Sequence, residues 1–179
     1  MWWINICNHT VCEKEGSNES SFFFVLVVWI SDIRQQTKEF YNYYIKKEFK
    51  YGETDNPGGP PTGLVHDLYR NDECIKIIEP KIFKEVIETG CVLQRAYLNL
   101  FIPNEKPYYH TDPNNITVML YLTEGDDGET LFQQEDNTLL GVLPALGRIV
   151  IFDGSIKHKA TTHRNKARLN LVLKYDYIS

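Results

Sequence analysis

The sequence has too few cysteines for a fold held together by disulfide bonds. Four occur among 179 residues, and no two of them are spaced as CxxC. Secreted disulfide scaffolds carry a higher density of cysteine, so we expect reduced thiols in an intracellular protein. A bridge between Cys7 and Cys12 is the alternative that their short separation leaves open. The four cysteines are Cys7, Cys12, Cys74 and Cys91.

The sequence also lacks an apolar run of membrane-spanning length. The run from Phe22 to Ile30 has nine residues, whereas a spanning helix needs about 20. The residues before it are acidic rather than basic, and no small-residue cleavage site follows, so it does not match a secretory signal. We predict a buried strand at this run and a cytoplasmic protein with no membrane partner.

A positive net charge is absent as well. The formal net charge is −5, which excludes the overall basic character of many nucleic-acid-binding proteins. Nucleic acid is therefore disfavoured as a partner. Basic side chains do cluster late in the chain, where they form either a local binding patch or, as we favour, a solvated loop. They are Lys157, Lys159, His163, Arg164, Lys166 and Arg168.

The first half of the chain alternates short structured segments with stretches rich in Gly and Pro. Residues 1–21 show no period and predict an irregular leader. Ser31 is a candidate N-cap, and apolar residues then recur at helical spacing to about Glu48. Gly52 to Gly63 is a loop, either a mobile lid or a plain connector. Pro80 to Thr89, with a glycine just past its end, predicts a short helix.

The second half consists of short apolar runs separated by Gly, Asp and Asn turns. A composition of 42% hydrophobic and 13% aromatic residues fits one globular domain. Helices first and strands later predict a mainly β, double-sheet architecture with helices packed on one side. The predicted strands are Val92–Ile102, Ile116–Thr123, Glu129–Phe132, Leu139–Leu143, Arg148–Phe152 and Ala167–Tyr175.

Three side chains in this half could form a metal site. His110 and Asp112 belong to an H-x-D triplet, and side chains at i and i+2 of a strand point to one face. A remote His158 would complete a facial cap of two histidines and one carboxylate, the ligand set of non-haem Fe(II) oxygenases. Each residue alone is better explained as a surface or loop residue. The set as a whole favours an iron site.

A cation follows this set on a strand-like run. Arg168 would fix a guanidinium beside the open metal site, which predicts a dicarboxylate cosubstrate between them. Arg164 is the competing candidate, but it lies in a turn-like stretch that fixes direction less well. The remaining histidines, His9, His66 and His163, are expected to have structural or surface roles.

From about Gln94 to Tyr175, the order and spacing of these pieces resemble the catalytic core of the Fe(II)- and 2-oxoglutarate-dependent dioxygenases, specifically their prolyl-4-hydroxylase-like branch. The resemblance implies a single oxygenase domain over 1–179. In it, 91–179 would form a double-stranded β-helix, or jelly-roll, core, and 22–90 would supply a supporting strand and helices. The matching pieces are H-T-D at 110–112, V-M-L-Y-L at 118–122, G-E-T-L-F at 128–132, P-A-L-G-R-I-V-I-F at 144–152, His158 and R-L-N at 168–170.

The same resemblance implies a role for each site residue. His110, Asp112 and His158 would ligate Fe(II), and Arg168 would pair with the distal carboxylate of 2-oxoglutarate. Tyr121 matches a tyrosine that often donates its hydroxyl to that carboxylate, although a plain core aromatic is an equal alternative.

Four further positions concern the detail of the pocket. Tyr97 and Asn99 share a face of the strand before H-x-D and could contact cosubstrate or substrate. Asp127 stands where the family commonly has Gly, and Asn170 stands where a small polar residue is frequent. Ascorbate is the candidate reductant that the resemblance adds to Fe(II) and 2-oxoglutarate.

The implied activity is hydroxylation of an unactivated C–H bond, with a prolyl or other peptidyl side chain as substrate and with release of succinate and CO2. One alternative is oxidative demethylation of nucleobases. The closing run R-L-N-L-V-L-K at 168–174 resembles that sibling family, but Lys174 stands where it has Arg, and the acidic balance weighs against it. A non-catalytic jelly-roll binding module is the other alternative, against which the intact ligand set and Arg168 argue.

Overall fold

The computed structural model describes residues 25–29, 31–51, 62–69, 72–85, 90–134 and 136–178. The predicted leader, Cys7, Cys12, His9 and most of the loop from Gly52 to Gly63 lie outside these residues. The elements in chain order are β1 (Val25–Trp29), α1 (Ser31–Tyr44), β2 (Lys50–Tyr51), β3 (Leu64–Leu68), α2 (Glu73–Glu85), β4 (Cys91–Phe101), β5 (Ile116–Tyr121), β6 (Thr130–Gln133), β7 (Leu139–Val142), β8 (Arg148–Asp153), β9 (His158–Ala160) and β10 (Arg168–Tyr177).

The strands form two antiparallel sheets. The larger has the order β1-β8-β5-β10-β4-β3-β2, and the smaller has the order β7-β6-β9. Their facing sides pack together, because Phe132 of the small sheet meets Phe152 of the large one edge-on at 4.9 Å between ring centroids. The prediction of a mainly β, double-sheet jelly roll with flanking helices is confirmed.

The other face of the large sheet carries the two helices. Buried residues of α1 and α2 join one apolar cluster with alternate residues of the central strands, as period-2 and period-3.6 patterns require. Strand β5 is buried at every position because it is covered on both faces. This cluster contains, among others, Ile33, Tyr44, Ile75, Ile78, Leu98, Leu120 and Leu171.

The register of the central strands decides what enters the space between the sheets. Strand β10 lies between β4 and β5, with Asn170 opposite both Asn99 and Tyr121. Residues two apart along a strand share a face. Arg168 and Lys174 therefore lie on the same side of β10 as Asn170, facing the small sheet. We call this side of the large sheet the inner face.

The helix predictions need correction at their ends. Helix α1 stops at Tyr44 rather than near Glu48. Helix α2 was predicted to begin at Pro80, but it begins at Glu73 and Pro80 lies inside it. Asp72 supplies the true start, since its Oδ1 accepts a hydrogen bond from the Cys74 amide at 2.9 Å. Burial of apolar residues before Pro80 offsets the one backbone bond that a proline removes.

The strand predictions were close, and the misses were the shortest strands. The six strands predicted in the second half appear with ends shifted by at most two residues. The run from Phe22 to Ile30, predicted as a buried strand, contains β1, in which two of the five residues are buried. Strands β2, β3 and β9 were not predicted, because runs of two to five residues carry too little periodic signal. The H-x-D triplet is not part of a strand, and His110 forms only an isolated bridge with His158. Neither described helix is long and apolar enough to span a membrane.

Candidate metal and cosubstrate site

The three predicted metal ligands lie together. One ligating atom from each of His110, Asp112 and His158 lies within 4.8 Å of the others. The His158 Nε2 is 3.6 Å from Asp112 Oδ2, and the His110 Nε2 is 4.0 Å from Asp112 Oδ1. Two imidazoles and one carboxylate on one side form a donor set that fits Fe(II) and leaves other coordination positions free.

Backbone pairing brings these distant parts of the chain together. His110 and His158 exchange two amide-to-carbonyl hydrogen bonds, each of 2.9 Å, and the Asp112 amide donates to the Gly154 carbonyl at 2.8 Å. Gly154 has no room for a side chain, because a Cβ there would lie 1.9 Å from the Asn114 carbonyl oxygen. This backbone pairing, rather than the strand expected at H-x-D, holds His110 and Asp112 in place. It requires a glycine at position 154.

Hydrogen bonding sets both imidazoles in the form that binds a metal. The Nδ1 of His158 lies 2.8 Å from the Ile156 carbonyl, and the Nδ1 of His110 lies 3.1 Å from the Tyr108 carbonyl. A carbonyl only accepts, so each Nδ1 carries the proton and each Nε2 offers a lone pair towards Asp112. Burial lowers the pKa of His158 to about 4, which keeps this ring neutral near pH 7.

Asp112 is held by two further side chains that were not predicted. Its Oδ2 accepts a 2.5 Å hydrogen bond from Thr117 Oγ1 and contacts the Lys174 ammonium. Burial alone would raise the pKa of this carboxyl, but Lys174 and His158 outweigh burial and hold the pKa below its usual value. The carboxylate is therefore ionised, as a metal ligand must be.

Arg168 lies on the inner face of β10 and is only 1% exposed. Its Nη2 donates to Thr130 Oγ1 at 2.6 Å, and its Nη1 donates to the Thr161 carbonyl at 3.2 Å. No carboxylate in the described part of the chain forms an ion pair with it, and its Nε is buried without a hydrogen-bond partner there. Burial lowers the pKa of Arg168, as expected for a desolvated cation.

Tyr121 and Thr130 lie beside this guanidinium. The Tyr121 hydroxyl is 2.7 Å from Thr130 Oγ1 and donates to the Val142 carbonyl at 3.1 Å. The Tyr121 ring centroid is 5.4 Å from the Arg168 Cζ. A guanidinium with two hydroxyls on the same side can bind one carboxylate with direction. Thr130 was missed as a site residue, although it lies in the G-E-T-L-F piece that carried the resemblance.

Two amides line the inner face beside Arg168. Asn99 and Asn170 are direct partners across β4 and β10, and the Oδ1 of each is buried without a hydrogen-bond partner among the residues described. Buried polar atoms are rarely left without partners in a folded protein, so a bound molecule is a reasonable source of the missing contacts. Tyr97 shares their face and packs against the apolar residues between the two sheets, among them Phe132 and Phe152. The roles of Tyr97 and Asn99 stay predictions.

The basic patch does not form as one surface. Arg168 and His163 are buried, while the side chain of Arg164 is 90% exposed and contacts Asp127. Arg164 is therefore placed away from the inner face. His66 hydrogen-bonds to the Glu48 carbonyl and His163 to Asp127, in line with structural roles.

No family model matches this sequence, and no curated protein matches it either. Many solved structures do share its fold. They include structures of 2-oxoglutarate/Fe(II) oxygenases, so the resemblance seen in the motifs is confirmed for the fold.

Three of these similar structures come from different organisms and differ in the molecules they are described as binding. A 2OG-Fe(II) oxygenase family protein from Burkholderia pseudomallei has a TM-score of 0.67 and 13% identity, with 85% of this chain and 84% of that one covered. A Trichoplax adhaerens prolyl hydroxylase in complex with a peptide of hypoxia inducible factor has a TM-score of 0.67 and 12% identity, with coverages of 87% and 83%. HygX of Streptomyces hygroscopicus, with nickel, 2-oxoglutarate and hygromycin B bound, has a TM-score of 0.61 and 12% identity, with coverages of 86% and 82%.

Proposed function

We propose that this chain is an Fe(II)- and 2-oxoglutarate-dependent dioxygenase that hydroxylates an unactivated C–H bond. The observation that supports it most strongly is a buried guanidinium with no carboxylate partner among the described residues, on the strand whose Lys174 contacts the aspartate of a cluster with two histidines. A cation in that state costs folding free energy unless it binds an anion. A dicarboxylate whose other end reaches the metal cluster would supply that anion.

The chain's own residues would divide the work between them. His110, Asp112 and His158 would hold Fe(II), and the protonated Nδ1 atoms would keep each ring turned towards the ion. When bound, Fe(II) supplies the chemistry that joins dioxygen to 2-oxoglutarate and to the substrate C–H bond. One oxygen atom ends in the hydroxyl product and the other in succinate, and CO2 is released.

The cosubstrate would be held at its far end. Arg168 would bind the distal carboxylate with two donors, and Thr130 and Tyr121 would add hydroxyl contacts. Apolar side chains around this pocket exclude water, which strengthens the ion pair and protects a reactive centre. They include Val150, Phe152, Phe132 and Val172.

For the substrate we propose a prolyl or other peptidyl side chain, on the motif resemblance and on the peptide complex among the similar folds. The hygromycin complex keeps a small molecule as a second candidate. A nucleobase is a third, because Asn170 and Lys174 of the R-L-N-L-V-L-K run both lie on the inner face. We also propose a single oxygenase domain over residues 1–179 and a cytoplasmic location.

Succinate formation tests the reaction class. Protein purified without oxygen is given Fe(II), 2-oxoglutarate and air, with and without ascorbate. We expect succinate from the wild type and none from His110→Ala or Arg168→Ala. Arg164→Ala is the matched control and should keep the wild-type rate. Loss of activity in Arg164→Ala with retention in Arg168→Ala would overturn the cosubstrate assignment, and no succinate under any condition would favour a binding module.

A substrate panel tests the finer proposal. Proline-containing peptides, methylated oligonucleotides and aminoglycosides are compared for stimulation of succinate release and for a product heavier by one oxygen atom. Stimulation by a peptide alone supports a peptidyl hydroxylase. Stimulation by the oligonucleotide or the aminoglycoside alone would replace that substrate class and leave the reaction class standing.

A further inference from the structure

A second buried cation lies six residues beyond Arg168 on the same strand. Lys174 is 5% exposed, and its Cα pairs with Thr117 of β5 and Arg95 of β4. Its ammonium contacts Asp112 Oδ2 and lies 3.0 Å from Thr117 Oγ1. Thr117 also donates to the same Oδ2 at 2.5 Å. Lysine, threonine and aspartate thus form a closed triangle, in which the aspartate is one of the three proposed metal ligands.

We propose that Lys174 is a positioning residue that shares the charge of Asp112 with the metal ion, and so stabilises the metal-free protein while weakening its affinity for the ion. This rests on the proposed function only in taking Asp112 as a metal ligand. Lys174 and Thr117 fix one carboxylate oxygen, while no described residue donates a hydrogen bond to the other, Oδ1.

The charges around Asp112 give the two effects opposite signs. Without a metal, an ionised and buried carboxylate needs a counter-charge, and removing its partner is strongly destabilising. With a metal bound, the ammonium and the divalent cation lie near one carboxylate and repel each other at short range in a poorly screened site. Loss of the lysine charge should therefore lower stability in chelator and raise affinity for the ion.

Other roles for Lys174 predict different combined changes in the stability of the metal-free protein and in its affinity for the ion. If the side chain only fills space, a methionine of similar length should change neither quantity much. If Lys174 mainly orients Asp112 for the ion, its loss should lower both stability and affinity. Only charge sharing makes stability fall while affinity rises, so the pair of measurements distinguishes these roles without an activity assay.

The experiment uses the full chain freed of metal by a chelator, with Ni(II) as the probe ion. Thermal midpoints are measured in chelator, and Ni(II) dissociation constants by calorimetry, for the wild type, Lys174→Met and Lys174→Arg. We expect Lys174→Met to melt several degrees lower and to bind Ni(II) about tenfold more tightly. Lys174→Arg keeps the charge and should resemble the wild type in both. Lys166→Met, at an exposed lysine, is the control and should change neither.

Lys174→Gln guards against a methionine variant that fails to fold. Its amide can still donate to Asp112 but carries no charge, so it should also bind Ni(II) more tightly than the wild type. Unchanged or weaker Ni(II) binding by the folded variants would overturn the proposal. A wild type that binds no Ni(II) at all would instead remove the metal site, and with it both this inference and the proposed function.

Discussion

The inner face of β10 carries two buried cations in opposite electrostatic states. Lys174 contacts a carboxylate, Asp112, and a threonine hydroxyl. Arg168 donates to a hydroxyl and a backbone carbonyl, and it forms no ion pair with a carboxylate in the part of the chain that the structure describes. The two residues share one strand, one face and nearly the same burial. They differ in that Lys174 contacts a carboxylate directly, whereas the Glu129 carboxylate acts on Arg168 without forming an ion pair with it.

The two cations therefore differ in what they require: Lys174 already has a counter-charge in contact, whereas Arg168 needs a bound anion to supply one. A buried ion pair satisfies itself and offers little to an incoming anion. A buried guanidinium whose direct partners are neutral keeps a charge that no ion pair balances, which is costly in an apolar setting and useful where an anion must be held. Under the proposed function, the anion would therefore bind at Arg168 and the cation at Asp112.

The largest effect on ligand binding should come from removing the charge of Arg168, which has no carboxylate in contact. Arg168→Met is expected to weaken 2-oxoglutarate binding about a hundredfold, because two charge-assisted hydrogen bonds are lost. Its thermal midpoint should not fall, since no buried carboxylate loses a partner. Calorimetry with anaerobic Fe(II)-loaded protein and a melting curve check the two parts. A large fall in stability with unchanged 2-oxoglutarate binding would mean that Arg168 is structural and that it differs less from Lys174 than proposed.

Gly154→Ala should damage the metal end while sparing the cosubstrate end. The new Cβ would meet the Asn114 carbonyl oxygen at 1.9 Å, and backbone there cannot move without shifting Asp112. We expect a loss of about 2–3 kcal/mol of stability and at least about tenfold weaker Ni(II) binding. Gly141→Ala is the matched control, because its Cβ would meet only ordinary contacts, the nearest at 3.4 Å. Equal behaviour of the two variants would contradict the role of Gly154.

Thr130→Val should affect only the cosubstrate end. It removes the hydroxyl that accepts from Arg168 and lies within hydrogen-bond distance of Tyr121. A buried hydrogen bond to a charged group contributes about 1.5–3 kcal/mol, so we expect at least about tenfold weaker 2-oxoglutarate binding. Ni(II) binding should be unchanged. Tyr121→Phe tests the second hydroxyl in the same assay, and a loss of Ni(II) binding in either variant would show that the two ends are not separable.

The smallest effect should come from Asp127, which acts on Arg168 through other residues. Its Oδ1 lies 2.6 Å from Nδ1 of the buried His163, and the segment it anchors carries the Thr161 carbonyl that accepts from Arg168. We expect Asp127→Gly to raise the KM for 2-oxoglutarate by about two- to threefold with little change in kcat. The control is Asp136→Ala, which removes a similar bond within its own turn, the one that Asp136 Oδ1 accepts from the Thr138 amide at 2.9 Å.

The Asp127 contact should also depend on pH. The hydrogen bond from His163 holds the pKa of Asp127 below its usual value, so the carboxylate is favoured in the folded state. A lowered folded pKa gives stability that is present above the ordinary value and is lost as pH falls through the lowered one. The difference in free energy of unfolding between the wild type and Asp127→Gly, measured by denaturation at several pH values, should therefore shrink in acid. A difference that grows as pH falls would reverse the sign and remove this account.

Much of the site could be predicted because it depends on local spacing. H-x-D keeps two ligands close in the sequence, although backbone pairing with His158 and Gly154 rather than a strand holds them. A strand of alternating character fixes the direction of Arg168. Thr117 and Lys174 were not predicted as neighbours of Asp112, because their meeting depends on the register of β5 against β10. Register is a property of paired strands and is not written in either one.

The fold shows the same division. Long strands such as β4 and β10 carry enough alternation to be found from the sequence. Helix α2 was misplaced because Pro80 was taken as a start signal, whereas tertiary burial of residues before it decided where the helix begins. Strand β9 has three residues and exists because β6 and His110 pair with it.

The most direct test of the claim that Arg168 binds an anion, while Lys174 is already paired with Asp112, uses the wild-type protein and two ligands. Anaerobic Fe(II)-loaded protein is titrated with 2-oxoglutarate and with 2-oxopentanoate, which has the same chain length and keeps the keto acid but has no distal carboxylate. The account predicts one 2-oxoglutarate per chain and about a hundredfold weaker binding of the monoacid. Equal affinities would show that Arg168 does not bind the far carboxylate and would contradict the account.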